Sequence, residues 1–332
     1  MTLMMEHPLA LLHGFVSVPA VNLFTELGFT QLWLKGEQVN LGQEVERQNL
    51  EPDIVLSLAR YFVRYDYLAE TEPNVFALTA RGRVYLGAWG ALGRWYSYHP
   101  LLSSLPSLAR KAATFDDDVY RDFAVRKGGP NKLFDILANY IQAHRFQHIM
   151  DLGGGGGDFL VAVAAQNPSI RLAALQRSPL LVEQSTAMLE QVGARSRSTL
   201  LVADLFELIE LGGVLHGVDF VTIFYTLHEL TYSGSSEVLR FLGLYRKAFG
   251  RTPLAITESY YVEDAEVREK TFQGTPEIVV LHDMSRQKWL RREEWVGIYD
   301  AARFRVIDSF VHRRANNANG RELDETLLVQ AA

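Results

Sequence analysis

Apolar positions divide the chain into two textures. In the first, they recur mostly at helical spacing. Leu9 to Leu27 is apolar at mixed helical spacing and stops at Gly28, which predicts one or two helices closed by a glycine C-cap. Glu51 to Tyr67 predicts another helix, with Ile54, Leu56, Leu58, Ala59, Phe62 and Val63 on its apolar side. Two short extended pieces follow, Tyr67–Glu70 and Val75–Leu78, joined by the turn residues Thr71, Pro73 and Asn74. Thr79 is placed to cap a helix from Ala80 onward. Helix, helix and hairpin is the pattern of a winged helix. Leu101 to Arg126 predicts a connecting helical region.

From Arg145 the texture changes. Extended apolar runs occur at Gln147–Met150, Arg171–Leu175, Thr199–Ala203, Asp219–Phe224, Leu254–Thr257, Arg305–Phe310 and Thr326–Gln330. The first five are separated by amphipathic stretches such as Phe159–Gln166 and Ser235–Phe249, which predicts βαβ alternation and a parallel sheet covered by helices on both faces. The last two have no helix between them and read as a hairpin, so antiparallel pairing is expected at one edge. The expected organisation is a helical domain over residues 1–125 and an α/β sheet domain over 126–332. The length of 332 residues agrees with about two domains at ~150 residues each.

Composition narrows the function. Hydrophobic residues make up 48% and charged residues 22%, the proportions of a folded globular chain rather than a disordered one. The net charge is −6, without the basic excess of a nucleic-acid binder. The stretch Leu41 to Arg60, where a winged helix would read DNA, carries Glu44, Glu46, Glu51 and Asp53 against Arg47 and Arg60. That face repels phosphate and suits a dimerisation or lid role. There are no cysteines, which excludes disulfides, thiolate metal sites and thiol nucleophiles, so any metal must use His, carboxylates or backbone oxygens. Met1 to His7 lacks the basic start of a signal peptide, and Pro8 to Phe24 is too interrupted to span a bilayer, so a cytoplasmic, membrane-free protein is expected.

The densest chemical signal is Met150-Asp151-Leu152 followed by five consecutive glycines, Gly153 to Gly157, and then Asp158-Phe159-Leu160. A strand enters and a helix leaves, and glycine lets the backbone turn with positive φ and approach a ligand closely. Asp151, Gly153, Gly155 and Gly157 fit Asp-x-Gly-x-Gly-x-Gly. This segment resembles motif I of the class I S-adenosylmethionine-dependent methyltransferases. "LTARGRVYL" at Leu78–Leu86 resembles the dimerisation domain of their small-molecule O-methyltransferases, the caffeate and hydroxyindole type. "VADLFE" (Val202–Glu207), "DFVTIFYTLHEL" (Asp219–Leu230), "ITESYY" (Ile256–Tyr261) and "RREEWVGIYDAARF" (Arg291–Phe304) resemble their later motifs. The resemblance spans essentially the whole chain. It implies a Rossmann-like seven-stranded methyltransferase sheet, parallel with one antiparallel edge hairpin, plus an N-terminal winged-helix dimerisation domain that pairs two chains. It also implies that Gly153, Gly155 and Gly157 line the methionine and ribose part of S-adenosylmethionine, with Asp204, Leu205 and Phe206 at the adenine. From the residue type alone, Asp204 also reads as a helix N-cap.

One position departs from the pattern. The family usually has a carboxylate at the end of the second strand to accept hydrogen bonds from both ribose hydroxyls. Here the strand runs Leu172-Ala173-Ala174-Leu175-Gln176-Arg177-Ser178-Pro179, which puts Arg177 or Gln176 at that place. Losing a charged acceptor for two hydroxyls costs roughly 1.5–3 kcal/mol, about tenfold to a hundredfold in affinity.

His228 lies where the O-methyltransferases keep their general base. A phenol has a pKa of ~10, and an imidazole of pKa ~6.5 removes its proton as the oxygen attacks the methyl carbon. Glu258 sits at the end of the fifth strand, placed to orient His228 or to line the pocket. Tyr225, Tyr260 and Tyr261 are candidates for pocket walls, with Tyr225 at the substrate. Trp95, Tyr96, Tyr98 and His99 form an aromatic cluster that suits a pocket cap or helix packing. His312, Arg313 and Arg314 read as a solvated hairpin edge.

The segment "VVLHDMSRQKWL" adds His282 and Asp283. With His228-Glu229, this pair resembles the arrangement in the phenylpyruvate C-methyltransferases, a branch that holds non-haem iron. The resemblance implies Fe(II) or another divalent metal on His228, Glu229 and His282, two His and one carboxylate with open positions. Glu229 here stands for an aspartate and is longer by one methylene. His282 also reads as a buried pocket residue or a second base, with Asp283 beside it at the substrate. The reading that follows is a methyltransferase for a small aromatic or 2-oxo-acid metabolite of secondary metabolism, paired as a homodimer and binding no nucleic acid. The alternative is a methyltransferase-fold enzyme that has lost methyl transfer and catalyses a metal-dependent or other step.

Overall fold

The stretch from Pro8 carries no carboxylate, Lys or Arg before Glu26, and it forms helix α1, Pro8–Glu26. It and the elements below are taken from a computed structural model that describes residues 8–87, 98–111, 132–153, 155–213, 215–261, 275–314 and 322–332. Gly28, at φ 83, takes the left-handed turn that separates α1 from α2, Phe29–Leu34. A short strand β1, Val39–Asn40, leads into α3, Leu41–Arg47, whose first turn is capped by the Asn40 side chain accepting from the Gln43 N–H. Helix α4, Pro52–Arg64, starts at a proline, where the missing N–H is no loss, and buries Val55, Ala59 and Phe62 from one face. Strands β2, Leu68–Glu72, and β3, Val75–Leu78, form the expected hairpin. In α5, Ala80–Gly87, the Thr79 hydroxyl accepts the Gly82 N–H at 2.9 Å, the expected cap.

These elements make a three-stranded antiparallel sheet, order β1-β3-β2, with helices packed on an aromatic core of Phe24, Phe29, Trp33, Phe62 and Phe76. The Trp33 indole N–H donates to the Phe76 carbonyl at 3.0 Å. The third strand, β1, was not expected, because two residues carry no readable alternation.

Helices α6, His99–Ala109, and α7, Lys132–Ala143, come next. The chain forms two compact units, Met1–Pro100 and Leu101–Ala332. The expected boundary near residue 125 lies outside the described residues, as do Trp95 and Tyr96. In the second unit β4, His148–Leu152, leads through the glycine loop into α8, Asp158–Gln166. Strand β5, Arg171–Gln176, leads into α9, Pro179–Gln191, and β6, Ser198–Val202, follows. Strand β7, Phe220–Phe224, leads into α10, Ser236–Phe249, and then β8, Leu254–Ser259. Helices α11, Thr275–Met284, and α12, Arg292–Ala301, precede the hairpin of β9, Phe304–Arg314, and β10, Glu322–Ala331.

The sheet order is β6-β5-β4-β7-β8-β10-β9. The first five strands are parallel, and β10 runs antiparallel to both β8 and β9. Strand periodicity sends alternate residues to opposite faces. Met150, Leu152, Val221 and Ile223 join one core with Tyr245 and Trp295, while Ile149, Leu172 and Phe220 join the other with Phe159 and Leu160. This is the predicted two-sided α/β sheet with its antiparallel hairpin. Among the described residues, no helix is long and apolar enough to cross a membrane.

Candidate functional site

From β4 the chain winds outward through β5 and β6, then returns to β7 on the other side of β4. That reversal opens a crevice beyond the carboxyl ends of β4 and β7, the usual ligand position in parallel α/β sheets. The glycine loop and His228 lie at those two ends.

Gly153, Gly155 and Gly157 all have positive φ, at 67, 56 and 92. Glycine is required twice over at Gly157, since a Cβ there would also stand 2.9 Å from the Ser185 Cβ on α9. Beneath the loop, Asp151 is fully buried. Its Oδ1 accepts the Thr222 hydroxyl at 2.7 Å, while Oδ2 has no hydrogen-bond partner among the described residues. Burial pushes this carboxyl up to about 7, against the smaller pull of the Thr222 hydroxyl.

The crevice edges contain the other expected cofactor residues. At the end of β5, Gln176 is half-buried and its Oε1 accepts the Ser178 N–H at 3.3 Å, while Arg177 is exposed. After β6, Asp204 caps the 3-10 turn Leu205–Glu207: its Oδ1 accepts the Phe206 N–H at 2.9 Å, and Glu207 reciprocates on the Asp204 N–H. The capping role weighed for Asp204 is thus present. Leu205 is buried in the core, and the Arg240 guanidinium covers one face of the Phe206 ring at 4.2 Å. The residues fit S-adenosylmethionine at the glycine loop, where positive-φ glycines overlie a buried, half-satisfied carboxylate. At the end of β5 the described residues offer Gln176 and Arg177 rather than a carboxylate.

His228 sits in the 3-10 turn Leu227–Leu230, directly after β7, and is buried. Its Nδ1 lies 2.7 Å from Glu258 Oε2. Glu258, at the end of β8, is also buried, and its Oε1 accepts the N–H groups of Thr226 and Leu227 at 3.2 and 2.8 Å. The orienting position considered for Glu258 is the one it occupies. On the other side of the ring, Nε2 is 3.2 Å from Gln287 Oε1. Burial pulls the His228 pKa down, but the Glu258 charge and hydrogen bond, the Glu229 charge and the Gln287 contact outweigh it and hold the imidazole above its ordinary value.

Gln287 was not anticipated. It lies in the irregular segment between α11 and α12, where no periodicity marks a buried polar side chain. What fixes it is backbone pairing, Lys288 N–H to His228 O at 3.1 Å and Gln287 N–H to His282 O at 2.8 Å.

His282 is buried on α11, its ring 5.0 Å from that of His228 at 65° and 4.9 Å from that of Trp289. The structure therefore brings the two histidines together, with Glu229 half-buried beside them and Asp283 exposed. It does not assemble the expected metal trio. Among the described residues, no group of three or more His, Asp or Glu side chains is arranged to hold a metal ion. The reason is local: Nδ1 of His228 faces Glu258 and Nε2 faces Gln287. Tyr225 is half-buried at the strand end, and the Tyr260 hydroxyl donates to the buried Glu325 at 2.9 Å. His312, Arg313 and Arg314 lie on β9, the edge strand of the sheet.

No family model matches the chain, and no curated protein matches it in sequence. Solved structures do match over nearly its full length. One is the mitomycin 7-O-methyltransferase MmcR, at TM-score 0.64 and 19% identity, covering 97% of this chain and 96% of that one. The chain has the class I methyltransferase fold. PigF, solved with SAH, matches at TM-score 0.60 and 16% identity over 97% of both chains. An O-methyltransferase family protein from Burkholderia thailandensis matches at 0.58 and 15% identity, covering 95% and 94%. On the methyltransferase fold, the glycine loop and the His228–Glu258 pair occupy the two sides of the switch point.

Proposed function

We propose that the chain is an S-adenosylmethionine-dependent methyltransferase acting on a hydroxyl of a small aromatic or 2-oxo-acid metabolite. The observation that carries this reading is the buried His228–Glu258 pair at the carboxyl end of β7, across from the glycine loop. The neighbours named for O-methyl transfer and the one solved with SAH support it. S-adenosylmethionine supplies the electrophilic methyl when bound. Glu258 accepts the Nδ1 proton of His228, which leaves Nε2 as the basic nitrogen. In the neutral ring Nε2, without the proton that the charged ring donates to Gln287 Oε1, takes the acceptor's hydroxyl proton, and the Glu258 carboxylate stabilises the resulting imidazolium. Positioning supplies the rest of the rate, since the sulfonium is a good leaving group. We further propose that the first unit pairs two chains, a role suited to its exposed Leu12, Phe15, Ile54 and Val84.

A second reading, an enzyme of this fold without methyl transfer, is favoured by one observation: the end of β5 presents Gln176 and Arg177 where a ribose would want a carboxylate. Calorimetry with S-adenosylmethionine decides between them. Binding, with activity lost in His228→Ala, supports methyl transfer. No binding at roughly millimolar ligand, the weak end of the affinity scale, overturns it in favour of the second reading.

A further inference from the structure

The turn after β7 contains an unusual backbone. Tyr225 has φ 47, a left-handed conformation that a bulky residue seldom holds and that persists only where its surroundings impose it. Its N–H donates to Thr257 O at 2.8 Å, which keeps the chain in register with β8 one residue past Phe224. The turn then aims the next two N–H groups, of Thr226 and Leu227, at one oxygen of Glu258. Successive N–H groups beside a left-handed residue form a small anion-binding concavity. The other Glu258 oxygen holds His228. The strained turn thus fixes the carboxylate, and the carboxylate fixes the imidazole.

Thr226 faces the other way as well. Its hydroxyl donates to Phe224 O at 2.8 Å, which sets the rotamer. Its side chain stands over Gly153: a Cβ on that glycine would lie 2.9 Å from Thr226 Oγ1 and 3.2 Å from Cγ2. Gly153 opens the glycine loop, at φ 67, with its N–H donating to Leu175 O at 2.8 Å. One residue therefore meets the loop with its side chain and the His228–Glu258 pair with its backbone.

We propose that Thr226 is a positioning residue that couples the glycine loop to His228, so that a ligand seated on the loop resets the imidazole through Glu258. This rests on reading the loop as the S-adenosylmethionine site. A coupling of this kind is reciprocal, so the imidazole's placement also acts on the ligand's affinity.

The test uses the intact chain, S-adenosylhomocysteine as probe, and two-bond 1H–15N spectra of the His228 ring. The probe is expected to shift the ring nitrogens in the native chain and in Thr226→Ser, which keeps the hydroxyl. In Thr226→Ala the shift is expected to vanish although the probe still binds, its affinity changed by the coupling that is lost. Thr226→Val keeps the volume, lacks the hydroxyl and is expected to lose the shift too, which covers an unstable alanine variant. A native chain that binds the probe without moving His228 overturns the coupling alone, as does an alanine or valine variant with the native shift. A native chain that does not bind the probe overturns the cofactor reading and the coupling with it.

Discussion

Glu258 Oε2 lies 2.7 Å from His228 Nδ1, and both side chains are buried. Replacing Glu258 with Gln keeps the shape and removes the charge. The His228 pKa, held above 6.5 in the native chain by the Glu258 charge and hydrogen bond, is then expected to fall. An NMR titration of the ring checks this, and an unchanged midpoint would refute it. The sign for stability follows. A histidine whose folded pKa exceeds its unfolded one stabilises fully below the unfolded value and loses that contribution as pH rises through the folded value. The stability gap between native and Glu258→Gln is therefore widest in acid. Glu258→Ala goes further and strands a buried ring, at a cost of about 3–5 kcal/mol.

Asp151 gives a second pH signature. Its carboxyl titrates near 3.8 when unfolded and is pushed up to about 7 by burial in the folded chain. The folded state therefore holds a proton that the unfolded state gives up between those values. Stability from this group is complete below 3.8 and is lost as pH rises to 7. The loss amounts to about 4 kcal/mol at 1.36 kcal/mol per unit. Asp151→Asn removes the titration. Part of the loss is already present at pH 5, so chemical denaturation at pH near 5 and near 8.5 is expected to show the native chain losing about 3 kcal/mol more than the variant. Equal losses in both proteins would be evidence that Asp151 stays ionised.

The sheet was legible because strands buried on both faces carry short apolar runs, Leu254–Ile256 opening β8 and Ile149-Met150 in β4, although both strands also bury polar residues such as Glu258 and Asp151. The glycine loop was legible because positive φ selects glycine in three places, Gly153, Gly155 and Gly157. His228 and Glu258 were both picked out, each at the end of a strand. Their contact depends on parallel pairing of β7 and β8 in a register that sequence does not state, Phe224 opposite Thr257. Gln287 and Thr226 stayed hidden for a similar reason. Their importance comes from backbone hydrogen bonds to distant segments, which leave no mark on hydrophobic periodicity. The metal trio failed because types and order alone do not say that Glu258 and Gln287 take the two ring nitrogens first.

The end of β5 yields a prediction about affinity. Gln176 Oε1 accepts the Ser178 N–H, and Arg177 brings positive charge to the rim where the proposed cofactor's ribose hydroxyls would want an acceptor. Gln176→Asp or Arg177→Asp is expected to tighten S-adenosylmethionine binding roughly tenfold to a hundredfold, the worth of a charged acceptor. Calorimetry measures it. If neither variant binds more tightly, the ribose does not lie at this strand end.

The first unit offers a test of packing in which two effects oppose each other. Gly82 lies in α5, where helix propensity alone favours alanine over glycine by about 1 kcal/mol. A Cβ there, however, would stand 1.9 Å from the Tyr67 carbonyl oxygen and 2.9 Å from Leu78 Cδ1. The Tyr67 oxygen cannot simply move away, because it accepts both the N–H and the hydroxyl of Thr79, each at 3.2 Å. Relieving the clash means lifting α5 off the sheet, at a cost of roughly 3 kcal/mol or more for overpacking against backbone. The steric term wins, so Gly82→Ala is expected to destabilise by about 2 kcal/mol or more net. Gly87, at the end of the same helix, has nothing among the described residues within 4 Å of its Cβ position. Gly87→Ala is therefore expected to be neutral or slightly stabilising. Urea denaturation of the two variants side by side separates sterics from propensity, and equal midpoints would show that α5 is not seated on the Tyr67 carbonyl.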